Sequence, residues 1–354
     1  MSVQARQASP QERAAMFNQL TRRNWQNLGT RTVAENGTVS FDLPKARLLK
    51  GLKVMVEATV RATHASLTTY APHEDAPFNF LRRAEVSINN GFSPFSISGQ
   101  SLQLYNISLN DDGVQLMARN TVGRHRVVQG LVSSAGGVDN IVRFGLELPV
   151  MVNPRDPVGL VLLQNEETLV TVNFTVGTRA DLAPDAAGFT YVLSNIRVTL
   201  LTDTFTIPAV PEAFPDISIL KLVHERTEPV IAGENIIRLP IGLTYRKLGF
   251  IHYTAAPIRA TDANITSPIE LIFNQAEIPY RILPQELANV NTEQYGAPLP
   301  MGMFMFDFSD NGKVNLGSAR DYVDTERLTE FWLKFNSSIP GTVRIMYEAL
   351  SRLR

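Results

Sequence analysis

Along most of the chain, hydrophobic and polar residues alternate with a period of two. Val39, Phe41 and Leu43 alternate with Ser40 and Asp42. Leu52, Val54, Val56, Ala58 and Val60 alternate with Lys53, Met55, Glu57, Thr59 and Arg61. Similar runs cover Ala84 to Ile88, Val170 to Val176 and Ile196 to Leu200, and Ile269 to Phe273 and Val343 to Tyr347 are less strictly patterned. Gly, Pro, Asn and Asp recur between them. Successive strand side chains point to opposite faces, so the pattern predicts antiparallel strands that bury one face of a sheet. Long helices do not alternate with these runs, as a parallel sheet would require, so an all-β sandwich fold follows.

One segment has a helical period. Ser9-Pro10-Gln11-Glu12 places a capping serine, a proline at the first helical position and a glutamate at the third, which is a capping box. Met16, Phe17 and Leu20 then share a face, while Asn18 and Arg22 point away and Arg13 shortens the stripe. A mostly polar stretch, Thr30 to Asn36, separates this helix from the first alternating run. The segment predicts a short N-terminal α-helical arm over residues 1–29. Two uses of it stay open. Met16, Phe17 and Leu20 pack on the protein's own sandwich, or the arm contacts a neighbouring subunit or a membrane surface, with Arg22 and Arg23 near lipid phosphates.

The pattern also repeats. Phe41-Asp42-Leu43-Pro44 returns as Ile237-Arg238-Leu239-Pro240, with Leu52 and Leu248 at the same offset. Ile88-Asn89-Asn90-Gly91-Phe92-Ser93-Pro94-Phe95-Ser96-Ile97 resembles Phe273-Asn274-Gln275-Ala276-Glu277-Ile278-Pro279-Tyr280-Arg281-Ile282. The match runs on through Gln100 and Leu102 against Gln285 and Leu287, to Asn106 against Asn291. Two matches in the same order argue for two copies of one topology. Ile207 to Pro215, with three prolines, reads as an extended connector. The expected organisation is an arm (1–29), a first sandwich (30–206), a connector (207–217) and a second sandwich (218–354). A chain of 354 residues fits this, since single cores stop growing at roughly 250–300 residues. Thr63 to Phe80, Asn110 to Asn140 and Gly296 to Asp321 read as long loops carrying function or contacts.

Composition narrows the chemistry. With 33 basic and 34 acidic residues there is no long-range basic field for gripping nucleic acid, although a local patch stays open. The chain has no cysteine, so disulfides, thiolate nucleophiles and Cys-ligated zinc are excluded, and assembly in a reducing cytoplasm fits. The polar start, Met1 to Gln7, lacks the apolar core of a signal peptide. The five histidines form no metal-binding spacing; His73-Glu74-Asp75 is the tightest candidate, and a solvated turn is the better reading. Asn110-Asp111-Asp112-Gly113 reads as a turn. Gly130 to Gly137 is glycine-rich but has no lysine to meet a phosphate, and no nucleophile elbow or dinucleotide fingerprint occurs. No catalytic residue, cofactor or metal is expected, and the protein reads as a non-enzyme.

Two tandem sandwiches, the arm Ser9 to Arg23, the paired repeats around Phe41 and Asn89, and the final segment Leu328 to Arg354 resemble the double jelly-roll major capsid proteins. The likeness covers essentially the whole chain and points to tectiviruses, phages with an internal membrane, of Bacillus-type hosts. It implies two tandem jelly rolls, a homotrimeric capsomer of six barrels in an icosahedral virion, and assembly in the host cytoplasm. The implied partners are copies of the same chain, neighbouring capsomers, the internal membrane and minor capsid proteins, with no direct nucleic-acid contact. A carbohydrate-binding, lectin-like sandwich using Tyr70 to Phe80 is the alternative.

Overall fold

The structure is a computed structural model that describes residues 9–89, 91–109, 130–152, 157–164, 169–256, 258–296, 298–309 and 322–352. The first half supplies β1 (Arg23–Thr32), β2 (Thr38–Asp42), β3 (Leu48–Thr63), β4 (Thr68–Tyr70), β5 (Leu81–Ile88) and β6 (Phe92–Ile97). It continues with β7 (Leu131–Ser133), β8 (Val138–Pro149), β9 (Val161–Leu162), β10 (Val170–Val176) and β11 (Thr190–Phe205). The second half supplies β12 (Ile219–Val230), β13 (Gly233–Arg238), β14 (Thr244–Thr254), β15 (Ile269–Phe273) and β16 (Glu277–Ile282). Then follow β17 (Met303–Asp307), β18 (Val323–Asp324), β19 (Phe331–Ser337) and β20 (Gly341–Arg352). The helices are α1 (Pro10–Leu20), α2 (Gly99–Ile107), the single turn α3 (Arg179–Leu182) and α4 (Pro284–Tyr295).

These strands build the same eight-strand figure twice. In the first copy β1-β11-β3-β8 faces β2-β10-β5-β6; in the second β12-β20-β14-β17 faces β13-β19-β15-β16. Each sheet joins the same strands of its copy, counted in chain order: first, eighth, third and sixth, or second, seventh, fourth and fifth. That order is the jelly roll, and the fold is a double jelly roll with a short helix in front. The alternating residues fill the cores as their period requires, with Val54, Val56, Val60, Val172 and Phe174 buried in the first and Leu271, Phe331, Leu333 and Ile345 in the second.

The two rolls are fused. β6 runs parallel to β12, with Phe95 beside Val223 and Ser96 beside His224, so one nine-stranded sheet crosses both. Helix α2 is wedged between them: Leu102, Leu104, Tyr105 and Ile107 share a core with Val223, Ile251, Tyr253, Met305 and Met346. Close approach is built into the sequence at Gly249, where a Cβ would stand 3.0 Å from the Leu104 side chain. β14 is therefore covered on both faces, which is why Tyr245 to Ile251 shows no alternation.

The repeated asparagines carry the repeated topology. Asn89 and Asn274 both take left-handed backbone, φ 53° and 50°, at the turn into the next strand. The Asn89 side chain accepts from the Leu169 amide at 2.8 Å, and that of Asn274 from the Thr329 amide at 2.9 Å, each just ahead of the next sheet partner. Asn106 in α2 clamps β8 by donating to the Glu147 carbonyl at 2.8 Å and accepting from its amide at 2.7 Å. Asn291 in α4 clamps β17 through Met305 at 2.7 and 3.1 Å. Asn291→Ala leaves both Met305 backbone groups buried without these partners. It is expected to cost about 2–3 kcal/mol, measured by urea unfolding.

Several expectations need correction. The arm ends at Leu20, and Arg23–Thr32 is an edge strand paired with β11; it buries little of itself and so has no readable period. The connector is not extended throughout, since it holds a tight turn at Pro211–Ala213 that lies against α1. The expected loop Gly296 to Asp321 contains β17, whose Met303-Phe304-Met305-Phe306 run is buried on both sides and does not alternate. Thr63 to Phe80 contains β4, paired with β7. The Asn110 to Gly113 turn, and the Asn110 to Asn140 loop as far as residue 129, lie outside the described residues.

Candidate assembly interface

Helix α1 forms as the capping box requires. Ser9 Oγ accepts from the Glu12 amide at 3.2 Å, and the Ser9 amide donates back to Glu12 Oε2 at 2.8 Å. Of the five arm residues, Phe17 is buried in its own subunit, edge-on to Phe205 with ring centroids 5.3 Å apart, beside Leu48, Met151 and Leu160. Arg23 is held by its own subunit while its side chain stays 46% exposed: it donates to Asp203 Oδ1 from Nε at 2.8 Å and to Oδ2 from Nη2 at 2.6 Å. Met16 is half-buried, and Leu20 and Arg22 are exposed. Within the group, then, Phe17 is buried in its own subunit, and Leu20, Arg22, Arg23 and part of Met16 are exposed.

The outer face of the β1-β11-β3-β8 sheet carries cross-strand ion pairs: Lys53 with Glu147, Arg143 Nε with Glu57 at 2.6 Å, and Arg61 with Asp139 at 3.3 Å. Exposed pairs of this kind contribute little to stability. They do specify a charged, matched surface. At its β1 edge Trp25 lies exposed between Arg23 and Lys53, whose charges sit 4.7 and 4.8 Å from the indole ring.

The junction between the rolls holds a buried charge network. Glu348 accepts from Arg246 Nε at 2.8 Å and from the Tyr105 hydroxyl at 2.5 Å, and Lys221 donates to Tyr105 at 3.2 Å. Lys247 donates to Asp307 at 2.5 Å and to the Ser108 carbonyl at 2.9 Å. Burial pushes the Glu348 carboxyl up, but Lys221, Arg246 and Lys247 together outweigh it and hold Glu348 below its ordinary value. Burial brings Lys221 down to about 8, with Arg246 and Lys247 adding to the fall and Glu348 opposing it. This network joins α2 of the first roll to four strands of the second, β12, β14, β17 and β20.

His73, Glu74 and Asp75 line a cleft of about 790 Å³ at the opposite end of the junction from α1. Asp75 lies 3.1 Å from Arg259 Nε and accepts from the Tyr253 hydroxyl at 2.9 Å, so it straps the first roll to the second. Burial raises the Asp75 pKa, while Arg259 and Tyr253 oppose the rise. Among the described residues no three His, Cys, Asp or Glu side chains converge as metal ligands.

This is the fold of viral capsid proteins. The chain matches the MCP of STIV, the Sulfolobus Turreted Icosahedral Virus, with a TM-score of 0.70 and 13% identity over 94% of this chain and 97% of that one. It matches the major capsid protein P2 from bacteriophage PM2 with a TM-score of 0.55 and 13% identity, over 94% and 98% of the two chains. A chain of the PBCV-1 virus capsid matches at 0.64 and 11% identity, over 93% of each. No protein-family model and no curated protein matches the sequence.

Sequence reasoning missed the junction network. Lys221, Lys247 and Glu348 sit in strands covered on both faces, where polar residues look like solvent-facing positions. One signal was present: charged residues inside runs otherwise too apolar to be half-exposed, as in Lys247-Leu248-Gly249-Phe250-Ile251.

Proposed function

We propose that this chain is the major capsid protein of an icosahedral virion with an internal membrane, built from homotrimeric capsomers of six jelly rolls. The observation that carries this reading is the double jelly roll running along essentially the whole chain, matched end to end by viral capsid proteins. The rigid fusion of the rolls supports it, because a shell block must transmit load between its barrels without hinging. Closed cyclic symmetry needs only one heterologous interface, repeated three times. The outward part of α1, Leu20 with Arg22 and Met16, serves the contact at the arm's pole, to the internal membrane or a neighbouring subunit. A tectivirus-like phage of a Bacillus-type host is the source this reading favours, with assembly in the host cytoplasm. Minor capsid proteins and neighbouring capsomers are the further partners, and no catalytic step belongs to this role.

Light scattering on the purified chain tests the oligomer. The expected mass is three times 39.2 kDa, about 118 kDa, held until the protein unfolds. A stable 39.2 kDa species at assembly concentrations would contradict the trimer.

A further inference from the structure

The chain makes one roll-to-roll junction internally, and each roll also has the face that is equivalent to the one its partner roll uses there. Strand register fixes the correspondence. In the second roll Val223 pairs with Glu348, which pairs with Lys247; in the first, Trp25 pairs with Asp203, which pairs with Gly51. Gly51 and Lys247 each precede one of the matched leucines, Leu52 and Leu248. Trp25 therefore stands where Val223 does, Asp203 where Glu348 does, and Arg23 where Lys221 does. The buried acid–base arrangement of the internal junction has a counterpart on the open face of the first roll, where Arg23 grips Asp203.

The other half lies on the second roll. The asparagine clamps align α2 with α4, which puts Val290 at the position of Tyr105. Tyr105 is fully buried against the second roll, whereas Val290 is 38% exposed. The β5–β6 and β15–β16 hairpins place Tyr280 at the position of Phe95. β16 and β1 are both end strands of their sheets, whereas their equivalents β6 and β12 pair with each other.

Side-chain size is exchanged across the two junctions. Inside the chain a large Tyr105 on the helix goes with a small Val223 on the strand. At the open positions a small Val290 on the helix goes with a large Trp25 on the strand. The charges also complement at the helix: α4 carries Glu286 and Glu293 and no cation, the one cation of β16, Arg281, is paired with Glu270 at 3.1 Å, and Arg23, Lys50 and Lys53 surround Trp25 or its pair partner Asp203.

We infer that the β16–α4 face of one copy docks on the β1 edge of a second copy's first roll, head to tail, with Trp25 seated against Val290 and β16 running parallel to β1. This rests on the capsomer reading above and names the surfaces that form it. Each copy then offers one donor face and one acceptor face, and the internal junction supplies the geometry that the second junction repeats.

The native chain has no cysteine, so an introduced pair reports without background. Gln26 and Arg281 correspond to the register partners His224 and Ser96. The full-length double variant Gln26→Cys/Arg281→Cys, oxidised, is expected to give bands of two and three chains on a non-reducing gel, while each single variant stays at one. Trp25→Ala is expected to weaken self-association about 30-fold, the loss of one aromatic anchor, with an unchanged melting midpoint for the separated chain. A trimer that forms without the crosslink and tolerates Trp25→Ala overturns this docking and leaves the trimer standing. A wild-type chain that stays monomeric overturns both.

Discussion

Replacing Glu348 by Gln is expected to destabilise the protein by about 3–5 kcal/mol, the usual cost of removing one member of a buried ionic group. The carboxylate is fully buried and serves Arg246 directly and Lys221 through Tyr105. Without its charge, Lys221, Arg246 and Lys247 remain in the junction with Asp307 as the carboxylate left among them. Lys221→Met is expected to cost less than half as much. It removes a cation from a network with more cations than carboxylates and leaves an apolar stem of similar length. Urea unfolding of both variants checks the order. Equal losses would show that charge balance does not govern this junction.

Acid is expected to weaken the second roll through His252. The imidazole is fully buried beside Phe335, with Nε2 3.4 Å from Ser337 Oγ, and burial lowers its pKa from 6.5 to about 4. Between those values the unfolded chain binds the proton and the folded chain does not. The contribution of neutral His252 is therefore complete above about pH 6.5 and is lost as pH falls toward 4. Over the whole interval the loss approaches about 3 kcal/mol. Unfolding midpoints of the wild type and His252→Gln at pH 7 and pH 4.5 measure it. The wild type is expected to lose more on acidification than the variant, and parallel losses would show that His252 does not titrate on unfolding.

Much of this fold was legible because half-buried strands announce themselves. Val39 to Leu43, Leu52 to Val60 and Val170 to Val176 each alternate against one core, and all but Leu43, one residue past β2, lie in strands, with the expected residues inward. The repeat was legible for a sharper reason: Asn89, Asn274, Asn106 and Asn291 perform topological tasks that few other side chains can, so they recur where the hydrophobic residues between them drift. Strands covered on both faces, such as β14 and β17, have no alternation to read. The edge strand β1 has almost no buried face to display. The arm was half legible. Its helix and cap follow from Ser9 to Glu12, but whether Phe17 turns toward Phe205 or away depends on strands nearly two hundred residues later.

Three copies are expected to close into a ring of six barrels. Electron microscopy of single particles of the purified chain tests it most directly. The predicted image is a compact ring of six lobes around a threefold axis, alternating between first and second rolls. Isolated particles of two lobes, at concentrations where the chain is folded and unaggregated, would contradict it.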